Sequence, residues 1–73
     1  MKPMSEMKEN EHATVIKIKA NEDIARRFTD LGLIENTKIR CVGKAPLGDP
    51  KAYLIRGCVI AIRKNDCAGI IVE

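Results

Sequence analysis

The stretch Ala45-Pro46-Leu47-Gly48-Asp49-Pro50 joins two strand-like runs, residues 37–44 before it and residues 51–63 after it. Proline fixes φ, glycine permits positive φ and aspartate bonds nearby backbone N–H groups, so this composition predicts a stiff, tight loop. A turn does not need a leucine, and loops held by a rigid scaffold often carry binding residues. We therefore predict a hairpin whose loop presents Leu47 to a partner. The alternative interpretation is an ordinary hairpin connection.

A helix is predicted upstream, over residues 22–31. Asn21 is a favourable N-cap, and the acidic residues that follow it suit the positive end of the helix dipole. The apolar side chains at positions i, i+4 and i+7 form one stripe: Ile24, Phe28 and Leu31. Gly32 is expected to end the helix in the left-handed conformation, with Leu33 folding back onto Phe28.

The remaining apolar residues follow strand patterns. Residues 13–19 alternate, with Ile16 and Ile18 on one face and Val15 on the other. Three further strands are predicted. The expected inward residues are Ile39 and Cys41 in the first of these strands, Tyr53 and Ile55 in the second, and Cys58, Ile60 and Ile62 in the third. Gly57, after Arg56, marks a bulge or tight bend, and residues 70–72 form the last strand. About five short strands, one helix and one or two short helical turns predict a mainly β fold, a small closed barrel of one domain over residues 1–73.

Chain length, net charge and cysteine content limit the classes of function that the protein can have. A chain of 73 residues buries a modest core. The net charge of +3 falls short of the dense basicity typical of duplex-binding proteins. Three cysteines are an odd number without paired spacing, which favours reduced thiols and a cytoplasmic location. No signal peptide is indicated, and no apolar run is long enough for direct membrane insertion.

Candidate metal ligands are one histidine and three cysteines: His12, Cys41, Cys58 and Cys67. Their spacing matches no known metal-ligand pattern, so we interpret the two strand cysteines, Cys41 and Cys58, as small buried core residues. His12 lies far in sequence from every cysteine, and no glycine-rich phosphate loop is present. The pattern therefore indicates no acid–base or nucleophilic site, and we predict that the chain is not an enzyme.

Basic side chains fall mostly at outward strand positions, including Lys38, Arg40 and Lys51. Single-stranded nucleic acids are bound by stacking on aromatic side chains. Here only Phe28 and Tyr53 are available, and both suit the core better. No nucleic-acid partner is predicted.

Three segments together resemble the FeoA family, small accessory proteins of bacterial ferrous-iron uptake. They are Arg27-Phe28-Thr29-Asp30-Leu31-Gly32-Leu33, the 45–50 loop, and Arg56-Gly57. Relatives typically carry Pro-Gly where this chain has Glu9-Asn10 and Glu35-Asn36, and asparagine is the next-best residue for positive φ. Cys58 stands where an aromatic residue is common in the family.

The resemblance implies an SH3-like β-barrel with an inserted helix and a partner, the cytosolic part of the membrane transporter FeoB. It implies no cofactor and leaves weak Fe(II) or Zn(II) binding without assigned residues, so the metal site is unknown. Gly32 and Gly57 are expected as structural turn residues. The expected partner-binding residues are Leu33, Pro46, Leu47, Gly48, Asp49 and Pro50.

Two alternatives stay open. The chain could be a stand-alone regulatory module related to the C-terminal SH3-like domain of DtxR-type metal-dependent repressors, or a transition-metal carrier. Whether the chain activates or inhibits transport, its oligomeric state and its affinity for a partner do not follow from the sequence.

Overall fold

The computed structural model describes all 73 residues. It contains six strands, one long helix, one short helix and a single 3-10 turn. In chain order these are β1 (Lys2–Pro3), the 3-10 turn (Met4–Glu6), β2 (His12–Ile18), α1 (Glu22–Asp30), β3 (Lys38–Lys44), β4 (Lys51–Ile55), β5 (Cys58–Ile62), α2 (Lys64–Cys67) and β6 (Ile70–Val72). Neither helix is long and apolar enough to cross a membrane.

The six strands form one antiparallel sheet in the order β1-β6-β2-β3-β4-β5. The segment that follows β1, at one end of this ladder, is joined to β4 by side chains instead of backbone pairing. The Tyr53 hydroxyl of β4 donates to the Met4 carbonyl at 3.2 Å. The Lys51 ammonium donates to the carbonyls of Ser5 and Met7 at 2.7 and 2.8 Å. These bonds bring the segment after β1 against β4, so the sheet curls around its core.

The mainly β class predicted from the sequence is confirmed, with six strands where five were expected. The additional strand is β1, whose two residues pair with Val72 and Ile71 of β6. A pairing this short carries no alternation that a sequence pattern could detect.

The core is a single cluster of buried side chains. Tyr53 and Ile55 of β4 are fully buried, as are Leu33, Met4 in the 3-10 turn and Met7 directly after it. Phe28 is the one buried residue of α1. With one aromatic ring from the helix and one from the sheet, the rest of the cluster is built mainly from aliphatic and sulfur-containing side chains.

Both ends of helix α1 are stabilised by hydrogen bonds to neighbouring residues. The Asn21 side chain accepts a hydrogen bond from the Ile24 N–H at 2.9 Å. At the other end Gly32 has a φ of +85°, and the Leu33 N–H donates to the Phe28 carbonyl at 2.8 Å. These contacts form the predicted helix ending. The buried part of the apolar stripe formed by Ile24, Phe28 and Leu31 is shorter than expected, because Leu31 is 43% exposed.

The strand β2 departs from simple alternation. Its register with β6 shifts between Val15 and Lys17, so Ile16 is an extra residue at a bulge. A bulge exchanges the faces of the residues that follow it. Val15 is therefore fully buried and Ile18 packs against the same core, although the sequence pattern placed them on opposite faces.

The asparagines that replace Pro-Gly keep the expected turn geometry. Asn10 and Asn36 have φ values of 69° and 73°. Arg56 and Gly57, at 49° and 82°, form the two-residue turn between β4 and β5. The predicted bend at Gly57 is thus a hairpin turn, because two positive φ values suit the twist of a two-residue hairpin.

Candidate docking loop

Loop 45–50 carries the most exposed large apolar side chain of the molecule. Leu47 is 97% exposed. Pro46 and Pro50, on either side, are also exposed. Gly48 has a φ of +88°, and a Cβ at this position would meet no atom within 4 Å. The glycine is therefore needed for its backbone conformation and not for space.

The base of the loop is fastened by hydrogen bonds. The Ala45 N–H donates to the Pro50 carbonyl at 2.9 Å, and the Gly48 N–H donates to the Ala45 carbonyl at 2.7 Å. The Asp49 carboxylate accepts from the Lys64 N–H at 2.8 Å, which ties the loop to the start of α2. These hydrogen bonds restrict the loop to one conformation with its tip in solvent. A rigid loop loses little conformational entropy when it binds.

The predicted partner-binding residues do not all share this surface. Leu33 is fully buried in the core and therefore does not lie on the surface that presents Leu47. The reason is the helix ending itself, because the reversal at Gly32 folds Leu33 back beneath the helix. Asp49 is exposed, but one of its carboxylate oxygens is already occupied by Lys64. Pro46, Leu47, Gly48 and Pro50 remain available at the loop surface.

A second apolar surface was not predicted. A groove of about 90 Å³ lies between α1 and β5, lined by residues that include Ile24 and Leu31 on the helix and Ile60 and Ile62 on the strand. Val59, on the same strand, is 65% exposed. The sequence marks residues 58–63 as a strand but does not show that this strand lies at the end of the ladder. That position leaves part of its apolar surface uncovered.

One of the two strand cysteines departs from the prediction that both are buried. Cys41 is buried as expected, but Cys58 is exposed; Cys67, in α2, is also buried. Cys58 has the inward alternation of Ile60 and Ile62, but it adjoins the hairpin turn and lies beyond the core. All three thiols are free. No three His, Cys, Asp or Glu side chains lie close enough together to hold a metal ion.

Tyr53 and Cys67 form a buried polar pair. Their Oη and Sγ atoms are 4.0 Å apart. Burial raises the pKa of the Cys67 thiol, and burial together with Cys67 raises the pKa of the Tyr53 hydroxyl. Both groups therefore stay protonated and neutral at neutral pH, which is the form suited to an apolar core.

The outer face of β2, β3 and β4 is cationic. His12 pairs with Arg40 across the strands, and Lys38 lies two residues before Arg40. These side chains line a shallow depression together with Arg56. Lys51, counted among the basic side chains that fall mostly at outward strand positions, does not belong to this face. Its ammonium turns under the 3-10 turn to bind two backbone carbonyls.

Comparison with known proteins gives a consistent assignment. A family model of the FeoA domain matches residues 2–73. The solution structure of FeoA from Chlorobium tepidum is 35% identical, with a TM-score of 0.91 over 97% of this chain and 68% of that chain. The zinc complex of FeoA from Stenotrophomonas maltophilia, described as an SH3 domain protein, is 27% identical, with a TM-score of 0.81 over 100% of this chain and 91% of that chain.

One curated relative is much longer than this chain. It is the Fe(2+) transport protein A/Fe(2+) transporter FeoB fusion protein of Porphyromonas gingivalis, strain ATCC BAA-308 / W83. It is 29% identical over 70 residues, which are 96% of this chain and 8% of the fusion protein. The family match over nearly the whole sequence and the shared SH3-like architecture show that this chain belongs to the FeoA family, a family of ferrous-iron transport.

Proposed function

We propose that this chain is a non-enzymatic accessory protein that docks on the cytosolic part of a FeoB transporter through loop 45–50. The observation that carries the proposal is Leu47, an apolar side chain 97% exposed on a loop fastened at its base. Burying a leucine contributes roughly 1.5–3 kcal/mol, so its exposure favours a contact that covers it.

The Porphyromonas fusion protein supports the choice of partner. In that relative a FeoA-like segment and a FeoB transporter are one polypeptide. Segments joined in one chain in one protein are natural candidates to associate as two chains in another. By binding one conformation of the transporter more tightly than another, the accessory protein would shift the population of transporter states.

Side-chain geometry supports a role without catalysis. His12 lies on the cationic outer face beside Arg40 and forms no side-chain hydrogen bond to an acid or a thiol. Cys67 is buried, and the raised pKa of its thiol disfavours the reactive thiolate. The available groups therefore do not form a nucleophile oriented beside a base.

The test is a pull-down against the cytosolic part of FeoB with Leu47→Asp. The melting temperature should be unchanged, since the side chain is solvated, while binding should fall at least tenfold because a charge is forced into an apolar contact. Ile34→Asp is the matched control, since Ile34 is also apolar and exposed, at 42%, but lies after α1. Unchanged binding by Leu47→Asp would place the contact on another face.

The two alternatives stay predictions. A metal carrier would bind Fe(II) or Zn(II) stoichiometrically in an anaerobic titration of the isolated protein. A regulatory module would bind a repressor instead of a transporter. In the docking proposal the transporter is the partner, and no metal is needed for the contact.

A further inference from the structure

The edge strand β5 has backbone groups that nothing in the chain pairs. It stands at the end of the ladder and pairs with β4 alone. In a hairpin closed by a two-residue turn, the flanking pair Ile55 and Cys58 exchanges hydrogen bonds, and so does every second pair after it. The N–H and C=O groups of Val59 and Ala61 therefore point away from β4, toward the open side of the sheet.

The space beside this edge is apolar. Leu31 of α1 faces the groove and is 43% exposed, and Ile60 of β5 lies opposite it. Val59 is 65% exposed on the other face of the strand. A strand added along β5 would cover both faces at once, because its side chains alternate and meet Leu31 on one side and Val59 on the other.

Positive charges at the two ends of β5 favour a partner segment that carries carboxylates. Arg56 precedes the strand, and Arg63 and Lys64 follow it directly. Arg27 also lines the groove, where Asp66 is the one carboxylate. An occupant with a carboxylate near each end would thus face cations at both ends of the strand.

A second copy of this chain is a poor occupant for the same reason. Antiparallel pairing of β5 with itself, with Val59 opposite Ala61, would bring the turn residue Arg56 of one copy near Arg63 and Lys64 of the other at each end. Like charges brought close together across a sheet edge are unfavourable. The charges favour a different sequence over self-association.

We propose that β5 accepts an extended segment of the docking partner as an added strand, a segment with β-branched apolar residues in its centre and a carboxylate near each end. This inference rests on the proposed function for the identity of the partner. Asp49 at the base of loop 45–50 bonds to Lys64, and Lys51 pairs with Ile62. Loop and strand end are therefore contiguous, so one partner can contact both.

The direct test uses a peptide and the full chain. Acetyl-Glu-Val-Ile-Val-Glu-amide is titrated into the labelled protein and followed by NMR. The amide signals of Val59 and Ala61 should shift, and their hydrogen exchange should slow, because both N–H groups acquire acceptors. The control peptide with lysine in place of both glutamates should bind at least tenfold more weakly. Shifts absent from β5, or equal for both peptides, would overturn the proposal.

Two variants separate the backbone from the side chains. Ala61→Pro removes an N–H that points away from β4, a position where an edge strand tolerates proline, and it should abolish peptide binding. Ala61→Val keeps the N–H and should bind normally. Should the proline variant melt early, Val59→Glu serves instead, because its charge repels the acidic peptide from an exposed site. Peptide binding undiminished in a folded variant would contradict the proposal.

The same variants distinguish this inference from the proposed function. In the pull-down with FeoB, Ala61→Pro should weaken binding at least tenfold, as Leu47→Asp does. Loss with Leu47→Asp alone would leave the docking function intact and remove β5 from it. If the unmodified chain does not bind FeoB, the proposed function fails, and the peptide titration alone decides whether β5 accepts a strand.

Discussion

The Asp49 carboxylate accepts a hydrogen bond from the Lys64 N–H at 2.8 Å and so joins a loop to a helix 15 residues further along the chain. Asp49→Ala should lower the free energy of unfolding by about 1 kcal/mol, because one N–H at the start of α2 loses its acceptor. For a domain of this size that corresponds to a fall of roughly 4–8 °C in melting temperature. Asp49→Asn retains a side-chain oxygen and should lose less. Equal melting of all three proteins would show that the bond does not stabilise the fold.

Gly69 lies against the backbone of the neighbouring segment. A Cβ at this position would be 1.8 Å from the Lys19 carbonyl oxygen, and the Lys19 N–H donates to the Gly69 carbonyl at 2.8 Å. Gly69→Ala must separate these two backbones and should cost about 3 kcal/mol, measurable by urea denaturation. Gly43→Ala is the control, since a Cβ added at position 43 would meet no atom within 4 Å. It should change stability by less than about 0.5 kcal/mol.

Thiol labelling of the native protein should modify Cys58 first. Cys58 is exposed, whereas Cys41 and Cys67 are 1% and 0% exposed. Mass spectrometry after brief reaction with a maleimide should show one added label, and Cys58→Ser should remove it. The buried thiols should react only as fast as the protein opens. Early label on Cys67 would contradict its place in the core.

Stability should decline in alkaline solution. The pKa values of the Tyr53 hydroxyl and the Cys67 thiol are raised from ordinary values of 10.0 and 9.0. Above about pH 9 the unfolded chain releases these protons while the folded chain retains them, so the free energy of unfolding falls as pH rises. Urea midpoints measured from pH 7 to pH 11 test this.

Tyr53→Phe is the informative variant for this pH dependence. It loses the hydrogen bond to the Met4 carbonyl and should be about 1 kcal/mol less stable at pH 7. Its decline toward pH 11 should be shallower, since one of the two titrating groups is gone. A decline parallel to that of the unmodified chain would show that Tyr53 does not drive it.

Features set by local sequence were predictable. Asn21 and Gly32 define the ends of α1 because capping and positive φ depend on a few neighbouring residues. Asn10 and Asn36 kept their turns for the same reason. The exposed tip of loop 45–50 also followed from local composition, since prolines and glycine determine the turn and leave Leu47 outside.

Features that depend on distant partners were not predictable. Ile16 became a bulge because β2 had to pair with β6, a strand more than fifty residues away. Cys58 is exposed because β5 is an edge strand and its first residue lies beyond the core. Alternation identifies the two faces of a strand, but it does not show which end or edge of that strand the core reaches.

The bonds from Lys51 and Tyr53 to residues 4–7 have a consequence for the order of assembly. They join positions 44 to 49 residues apart, so they close long chain loops whose entropic cost must be met before they form. The hairpin of β4 and β5 closes over a two-residue turn and can form early. We expect residues 2–7 to dock last and to open first, and their amides to exchange with solvent ahead of the hairpin they cover.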